Sequence, residues 1–340
     1  MNNALISGGA GYLGGNFLIY LLQKNLNVIV IDNFTNSSRH NFRILQNKLR
    51  KKYETKFFFY EGSINNRTLI EYISKKHSID YVYHFAALKS VPESLKKPSL
   101  YLLNNFHYAK NFVNTIIKNN KIKSFVFSSS ATVYGNTSTY PISEDSLLKY
   151  NNAYGLSKIL FEDYLKKVSI NNNKIKFICL RYFNPLGSFC NNLYPEYLTK
   201  NQDSLSSSIK KIIDSDFKKI FYIYGNDYDS IDGTPVRDFI HVSDLLDGHY
   251  TVNTNLNKLS NFEVFNLGTG QGTSILEFIK ELEKSFGRKI NYQFMPRRDG
   301  DIAISYANVN KIFKHIKWKA KCSINKICND IALSQKNEFY

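Results

Sequence analysis

Seven residues near the start of the chain, Gly8-Gly9-Ala10-Gly11-Tyr12-Leu13-Gly14, restrict its folding more than any other segment. They follow an apolar run, Ala4-Leu5-Ile6-Ser7, that reads as a strand, and lead into a stretch of helical period from Tyr12 to Asn25. Glycines at 8, 11 and 14 permit a tight turn, close approach of backbone to a ligand, and close packing of helix on strand. The helix N-terminus then offers N–H donors and the positive end of its dipole, which suits a pyrophosphate. The spacing is Gly-x-x-Gly-x-x-Gly, not the Gly-x-Gly-x-x-Gly of the usual dinucleotide turn, and the glycines alone imply only a tight connection. Asp32 adds what is missing. It falls directly after a second strand, Val28-Ile29-Val30-Ile31. A carboxylate there accepts from a ribose 2′-OH and repels a 2′-phosphate, so the expected cofactor is NAD rather than NADP.

The alternation continues. Lys56-Phe57-Phe58-Phe59-Tyr60, Tyr81-Val82-Tyr83-His84-Phe85, Phe125-Val126-Phe127-Ser128 and Ile175-Lys176-Phe177-Ile178-Cys179-Leu180 read as strands, with helical stretches near 66–77, 99–120 and 154–170 between them. Short continuous apolar strands separated by helices predict an α/β fold: a Rossmann-type doubly wound parallel sheet covered on both faces. After Phe183 the rhythm loosens into Gly, Pro, Asn and Asp, with short strands at Phe221-Tyr222-Ile223-Tyr224 and Val264-Phe265-Asn266-Leu267. This predicts an NAD-binding domain over 1–183, carrying the 154–170 helix. The remainder, 184–340, reads as a smaller α/β C-terminal substrate region with some return of chain to the core. A frayed tail is expected from Ser334 to Tyr340.

Bulk properties exclude several classes. The chain has 340 residues, 43% hydrophobic, and no apolar run long enough to span a membrane. No secretory leader is expected, since no basic stretch followed by a long apolar run precedes the first strand. The four cysteines, Cys179, Cys190, Cys322 and Cys328, form no Cys-x-x-Cys pair and no cluster with His, which predicts free thiols in a reducing, cytoplasmic compartment and no metal site. The net charge of +17 raises nucleic acid as a partner, but only nine of the 45 basic residues are Arg and the Lys are scattered among Asn, Ile and Tyr. That is a solvated surface, expected to attract an anionic nucleotide rather than to read nucleic acid.

Tyr154-Gly155-Leu156-Ser157-Lys158 places Tyr and Lys four residues apart, on one helix face. A phenol with an ordinary pKa of ~10 is a poor base at neutral pH. A nearby ammonium lowers it, as would a cationic nicotinamide ring. Ser128-Ser129-Ser130-Ala131-Thr132-Val133-Tyr134-Gly135 follows the fifth strand, and ligands in such sheets bind at the carboxyl ends of the strands.

The glycine turn, the Ser-Ser-Ser-Ala-Thr-Val-Tyr-Gly segment and Tyr-x-x-x-Lys together resemble the extended short-chain dehydrogenases. Further motifs narrow the resemblance to the UDP-glucose 4-epimerases and span essentially the whole chain: His84-Phe85-Ala86-Ala87-Leu88-Lys89-Ser90-Val91, Arg181-Tyr182-Phe183-Asn184-Pro185, Tyr224-Gly225-Asn226-Asp227-Tyr228, the block Asp232 to Leu245 around Arg237, Asn266-Leu267-Gly268-Thr269-Gly270, and Pro296-Arg297-Arg298-Asp299-Gly300-Asp301. The resemblance implies interconversion of UDP-glucose and UDP-galactose through transient oxidation at C4 by bound NAD. It implies that Tyr154 moves the proton of the sugar 4-hydroxyl, that Lys158 lowers the Tyr154 pKa and holds the nicotinamide ribose, and that Ser130 bonds the 4-oxygen with Thr132 nearby. Gly8, Gly11, Tyr12, Leu13 and Gly14 match the pyrophosphate turn; Asp32, Asn33, Asn36 and Ser37 the adenosine side; Phe85, Ala86, Ala87, Leu88 and Lys89 the cleft wall. Asn104, Tyr182 and Phe183 match further cofactor contacts. Arg237 and Arg298 would hold the diphosphate, Asn184 would lie near sugar and diphosphate, and Asp301 near the uridine ribose; Tyr222 and Tyr224 match the same side. The family's dimers imply a homodimer, with the 99–120 and 154–170 helices pairing across a two-fold axis.

Departures from the family pattern bear on details. The family's acidic residue at the adenine is Ser63 here, leaving the Ile64 backbone as an alternative contact. Ser204-Leu205 stands for an Asn-Leu step at the substrate. Ser305 occupies a position that varies in bulk beside the sugar, and its small side chain leaves room for an N-acetyl group. Among related chemistries, a 4,6-dehydratase wants an Asp-Glu pair after the Thr, yet Ala131 and Val133 flank Thr132. A uronate epimerase or decarboxylase wants a further cation. A regulator that binds NAD without catalysis would typically have lost Tyr or Lys, and both are present.

Overall fold

The structure is a computed structural model that describes residues 2–53, 56–187, 189–190, 192–196, 204–298 and 300–334. Its strands are β1 (Asn3–Ser7), β2 (Asn27–Asp32), β3 (Phe57–Glu61), β4 (Tyr81–His84), β5 (Ser124–Ser130), β6 (Lys176–Tyr182), β7 (Asn184–Leu186), β8 (Phe221–Tyr224), β9 (Val236–Arg237), β10 (Phe239–His241), β11 (Phe262–Leu267), β12 (Thr273–Ser274), β13 (Tyr292–Met295) and β14 (Ile304–Ser305). The helices are α1 (Tyr12–Gln23), α2 (Arg39–Tyr53), α3 (Arg67–Lys76), α4 (Val91–Lys96), α5 (Pro98–Leu102), α6 (Ala109–Asn119), α7 (Ala153–Ile170), α8 (Leu205–Asp214), α9 (Val242–Thr254), α10 (Ile275–Phe286), α11 (Asn310–Ile316) and α12 (Ile324–Ser334).

Seven strands form one parallel sheet in the order β11-β6-β5-β4-β1-β2-β3. Successive side chains of a strand point to opposite faces, so each apolar strand feeds two cores at once. Ala4, Ile6, Val28 and Val30 pack under α1 and α9 with Leu18, Leu22, Leu245 and Val252. Leu5, Ile29, Ile31, Val82, Phe125 and Phe127 pack on the other face with α3, α6 and α7, through Ile70, Val113, Phe161 and Leu165. A third core, Ile209, Phe221, Phe239, Phe278, Leu282 and Ile327, sits among α8, α10 and α12 and supports the short β8–β13, β7–β10 and β12–β9–β14 sheets.

The doubly wound sheet is therefore as the sequence predicts, with instructive differences. Val264–Leu267, read among the loops of the C-terminal half, lies in β11 at the edge of the main sheet, paired with β6. Helix α1 stops two residues short of Asn25, which adopts a left-handed φ of 61° and ends the helix there. Helix α2 was not anticipated: it carries Arg and Lys along most of its length and buries only Phe42, Leu45 and Leu49. The single helix expected over 99–120 is α5, a π-helical stretch at Leu103–Tyr108, and α6. Of the tail expected to fray, Ser334 ends α12 and the rest lies outside the described residues.

Candidate active site

The glycine turn joins β1, an interior strand flanked by β4 and β2, to α1. Gly8 has φ +76°, and a Cβ there would stand 2.6 Å from the Ala86 backbone nitrogen; a Cβ on Gly14 would stand 2.2 Å from the Gly8 carbonyl oxygen. Backbone at Gly8–Gly14 thus lies directly against backbone at Phe85–Ala86, with no room for side chains between them. Asp32, at the end of β2, pins this turn. Its carboxylate accepts from the Ala10 N–H (2.9 Å), the Phe34 N–H (2.8 Å) and the Ser37 hydroxyl (3.1 Å). A carboxylate has about four acceptor sites, so Asp32 retains one for a ribose hydroxyl. Burial raises its pKa, and those three bonds oppose the rise. Ser37 is drawn in as part of this arrangement, while Asn33 accepts from Thr35 and Asn36 is exposed beside it.

The opposite wall is made by backbone. The Phe85 ring turns away to stack on His249 (5.0 Å, 26°), leaving the main chain from Phe85 to Ala87 along the cleft. Leu88 is buried and clamped by Asn105, whose side chain accepts from the Leu88 N–H at 2.8 Å and donates to its carbonyl at 2.9 Å. Asn105 also reaches Ser157 Oγ at 3.2 Å. Asn104, the sequence candidate, donates to Asn105 instead. The signal that would have singled out Asn105 is the π-helical stretch, a recurrent marker of functional sites that sequence period does not show. Lys89 pairs with Glu196 at 2.7 Å. Tyr12 donates to the Gly187 carbonyl at 2.6 Å, and Leu13 packs against the α1–α9 core. Ser63 takes the Asn65 N–H at 3.2 Å, and the Ile64 side chain is buried in the core, so only its backbone is available at the cleft.

Three catalytic candidates come together at the end of β5. Asn152 caps α7 by accepting from the Gly155 N–H at 2.9 Å, which puts Tyr154 in the first turn beside Thr132. Ser130 Oγ accepts from the Thr132 N–H (3.2 Å) and Oγ1–H (3.0 Å). With both acceptor positions filled, its one proton is left to donate, with the Tyr154 phenol within reach. Lys158 lies one turn on, its Nζ 5.5 Å from the Tyr154 ring centre and donating to the Ser128 carbonyl at 2.7 Å. Behind them Tyr182 donates to Ser128 Oγ at 2.7 Å and meets His249, and Phe183 is buried beside Val133 and Tyr134.

The electrostatics differ from the expected lowering of Tyr154 by Lys158. Burial pushes the Tyr154 phenol up, and the Ser130 bond only partly offsets it. Burial also lowers Lys158, to about 7, against the raising effect of Glu162. In the protein chain alone, desolvation outweighs the local charge.

A second group lies along the short C-terminal sheets. Chain leaving β6 runs straight into Asn184, whose N–H donates to the Asp238 carbonyl at 2.9 Å and so joins the catalytic strand to β9–β10. Arg237 stands opposite Ser305 in the β9–β14 register. Its guanidinium donates to the Val236 carbonyl at 2.9 Å and has Asp301 at 3.9 Å. The Arg298 guanidinium lies 3.5 Å from the Tyr224 ring centre, whereas Arg297 is committed to Asp227 and stacks on Tyr228. Tyr222 shares the outward face of β8 with Tyr224 and is 46% exposed. Ser305 is buried. Ser204 caps α8, accepting from the Ser207 N–H at 3.2 Å, and Leu205 packs on the third core.

Some motif residues that look chemical are used to tie backbone. Asp238 accepts from Thr269 N–H and Oγ1–H, Gly270 N–H and Ala307 N–H. His241 caps α9 and bonds Asp330 of α12 at 2.9 Å.

The arrangement offers a backbone-lined dinucleotide cleft, a phenol with an aligned serine and ammonium, and two guanidinium groups suited to a diphosphate. The NAD dependent epimerase/dehydratase family matches residues 4–268. A UDP-glucose 4-epimerase of Yersinia enterocolitica is 38% identical over 333 residues, covering 98% of this chain and 97% of that protein. A UDP-glucose 4-epimerase of Stenotrophomonas maltophila, solved with bound NAD and formylated UDP-arabinopyranose, superposes with a TM-score of 0.91 at 32% identity, over 99% of this chain and 98% of that one. A UDP-Glc/GlcNAc 4-epimerase of Campylobacter jejuni superposes with a TM-score of 0.82 at 31% identity, over 99% of both chains.

Proposed function

From its membership of the NAD dependent epimerase/dehydratase family, we propose that the chain interconverts UDP-glucose and UDP-galactose by transient NAD-mediated oxidation at C4, a reaction of galactose metabolism. The observation that carries this is the meeting of Tyr154, Ser130 and Lys158 at the carboxyl end of β5, in the sheet whose strand β1 enters the Gly8–Gly14 turn.

The cleft fits NAD on its own geometry, since the backbone contacts at Gly8 and Gly14 leave a smooth wall and Asp32 keeps one acceptor site. Gly8, Gly11, Tyr12, Leu13 and Gly14 would face the pyrophosphate. The Asp32–Ser37 segment and the Ser63–Ile64 backbone would face the adenosine, and Phe85–Lys89, Tyr182 and Phe183 the remaining length. When bound, NAD supplies a reversible acceptor for the hydrogen at the hexose C4. The chain's own residues do the rest. Tyr154 accepts the proton of the 4-hydroxyl as its carbon is oxidised and returns it on reduction. Ser130, its acceptor positions already filled by Thr132, donates to the reacting oxygen and fixes its distance from Tyr154. Lys158, while charged, favours the phenolate against the burial that opposes it. Arg237 and Arg298 grip the diphosphate, with Asp301 and Tyr224 on the uridine side, so the hexose can turn over while the nucleotide stays held.

The same geometry supports finer readings. Ser305 is small, buried and opposite Arg237, so N-acetylated UDP-hexoses fit beside it. Leu95, Leu100 and Leu103 are all exposed on α4, α5 and the π-helical stretch, which supports a homodimer built on that segment together with α7. Residues 1–183 serve as the cofactor half and 184–340 as the substrate half, with β11 and α9 returned to the core. None of the described helices is long and apolar enough to cross a membrane, and four unpaired cysteines suit a reducing cytoplasm. The test is incubation with UDP-glucose without added NAD and separation of the products. Formation of UDP-galactose is expected; a protein that carries NAD yet gives none overturns the reading.

A further inference from the structure

Directly beneath the catalytic lysine lies a charge pair that neither the hydride chemistry nor the substrate grip uses. Glu162 follows Lys158 by one turn of α7, and both side chains are almost fully buried. Two adjacent residues of β5 anchor them: Lys158 donates to the Ser128 carbonyl, and Ser129 Oγ donates to Glu162. Arg181 of β6 meets the carboxylate with both arms, Nε at 3.1 Å and Nη2 at 2.6 Å. Its third nitrogen turns away, to the Tyr134 hydroxyl (2.9 Å) and the Glu144 carbonyl (3.1 Å). The carboxylate is therefore gripped by the guanidinium one helical turn along α7 from the lysine.

A buried ion pair of this kind is a weak source of stability, because desolvating both partners costs about as much as their attraction returns. Here it is oriented. Among the described residues the other groups around Lys158 supply no anion: the Tyr154 phenol on α7, the Ser128 carbonyl and Phe127 ring on β5, Cys179 on β6 and His84 on β4. Burial holds the Cys179 thiol protonated and lowers His84 to about 3, so that it is neutral. Among the described residues, the carboxylate that favours the ammonium is Glu162.

We propose that Glu162, fixed by Arg181 and Ser129, is a positioning residue that keeps Lys158 cationic and so sets the alkaline edge of the pH range in which Tyr154 exchanges its proton. Because Ser129 precedes Ser130, the same anchor holds the strand end that presents Ser130 to the substrate oxygen. The inference rests on the epimerase reading above.

The test is the pH dependence of kcat for the wild type and three variants. Loss of activity at high pH reports deprotonation of Lys158. Glu162→Gln removes the anion one turn from the lysine, so that limb should move to lower pH by about one unit or more. Arg181→Met leaves the carboxylate without its counter-ion and should move it to higher pH. The paired variant E162Q/R181M removes both members of the ion pair, so neither Glu162 nor Arg181 is left as a charge without its partner. If the single variants fail to fold, it decides the matter: the nearer charge is the one lost, so its alkaline limb should still lie below that of the wild type. Opposite shifts in the single variants, or a lowered limb in the pair, support the proposal. A limb unchanged throughout, or moved the same way by both single substitutions, overturns it. A wild-type protein that holds NAD but does not turn over UDP-glucose would instead overturn the epimerase reading.

Discussion

Asn105 holds both backbone groups of Leu88, accepting its N–H at 2.8 Å and donating to its carbonyl at 2.9 Å, and so fixes the far wall of the cofactor cleft from inside the π-helical stretch. The same amide lies 3.2 Å from Ser157 Oγ, between Tyr154 and Lys158 in sequence. Asn105→Ala strips a buried donor and a buried acceptor of their partner, which should cost about 2–4 kcal/mol. The expected outcome is a lower Tm together with loss of NAD on dialysis, read from cofactor released by denaturation. A variant that is destabilised but keeps its full NAD content would confine Asn105 to a structural part.

Gly14→Ala tests the turn itself. The added methyl would stand 2.2 Å from the Gly8 carbonyl oxygen and 2.8 Å from Gly9 Cα, against backbone that has nowhere to move. Overpacking of this kind costs about 1–3 kcal/mol, and here it displaces the backbone donors that the proposed reading sets against the pyrophosphate. Purified G14A should contain little NAD and regain activity only with added cofactor. Wild-type NAD content in that variant would mean that the pyrophosphate sits elsewhere.

The parts that were legible in the sequence are those whose signal is local. The Gly8–Gly14 turn and the Tyr154–Lys158 spacing are each contained within a few residues, and Asp32 ends the strand that follows α1. Long-range pairing left no such trace. Nothing in Phe262–Leu267 announces that it will pair with β6 some 85 residues away, as Phe262 does with Phe177. Helix α2 hid because three buried residues among Arg, Lys and Asn make a thin apolar stripe. Glu162 and Arg181 are unremarkable acids and bases until burial and a bidentate bond single them out. The rise of Tyr154 and the fall of Lys158 come from desolvation, which depends on packing that the sequence does not display.

Tyr154→Phe removes the proposed proton acceptor while leaving the ring that fills the start of α7. Loss of a positioned acid–base group typically reduces turnover by ~10²–10⁴-fold. UDP-glucose epimerisation should fall by that order with NAD retained and UDP affinity, measured by calorimetry, nearly unchanged. Full activity in the variant would remove Tyr154 from the proton path.

Ser305→Tyr separates the two substrate classes. Ser305 is 8% exposed and faces Arg237 across the β9–β14 register. Wild-type protein should convert UDP-GlcNAc as well as UDP-glucose, and the bulky variant should lose the former while keeping most of the latter. If the wild type gives no UDP-GalNAc where UDP-glucose turns over, the room beside Ser305 is not used by an N-acetyl group.

Acid stability follows from two buried histidines. Burial lowers His84 to about 3 and His249 to about 4. In the unfolded chain both titrate near ~6.5. Between those values the unfolded chain binds more protons than the folded one, so stability rises with pH. The contribution is full above about 6.5 and is lost progressively as pH falls toward the folded values, by up to about 1.4 kcal/mol per pH unit for each histidine. His77 and His241 are lowered by burial too and act in the same direction. Asp32, Asp238 and Glu144 are raised by burial and oppose the trend. Denaturant midpoints should therefore drop steadily from pH 7 to pH 5, before most carboxylates titrate. His249→Gln gives up the ring that bonds the Leu245 carbonyl and meets the Tyr182 hydroxyl, so it should be less stable at pH 7 yet show a shallower decline toward pH 5. A wild-type midpoint that stays level across that interval would mean that these histidines are not held neutral by the fold.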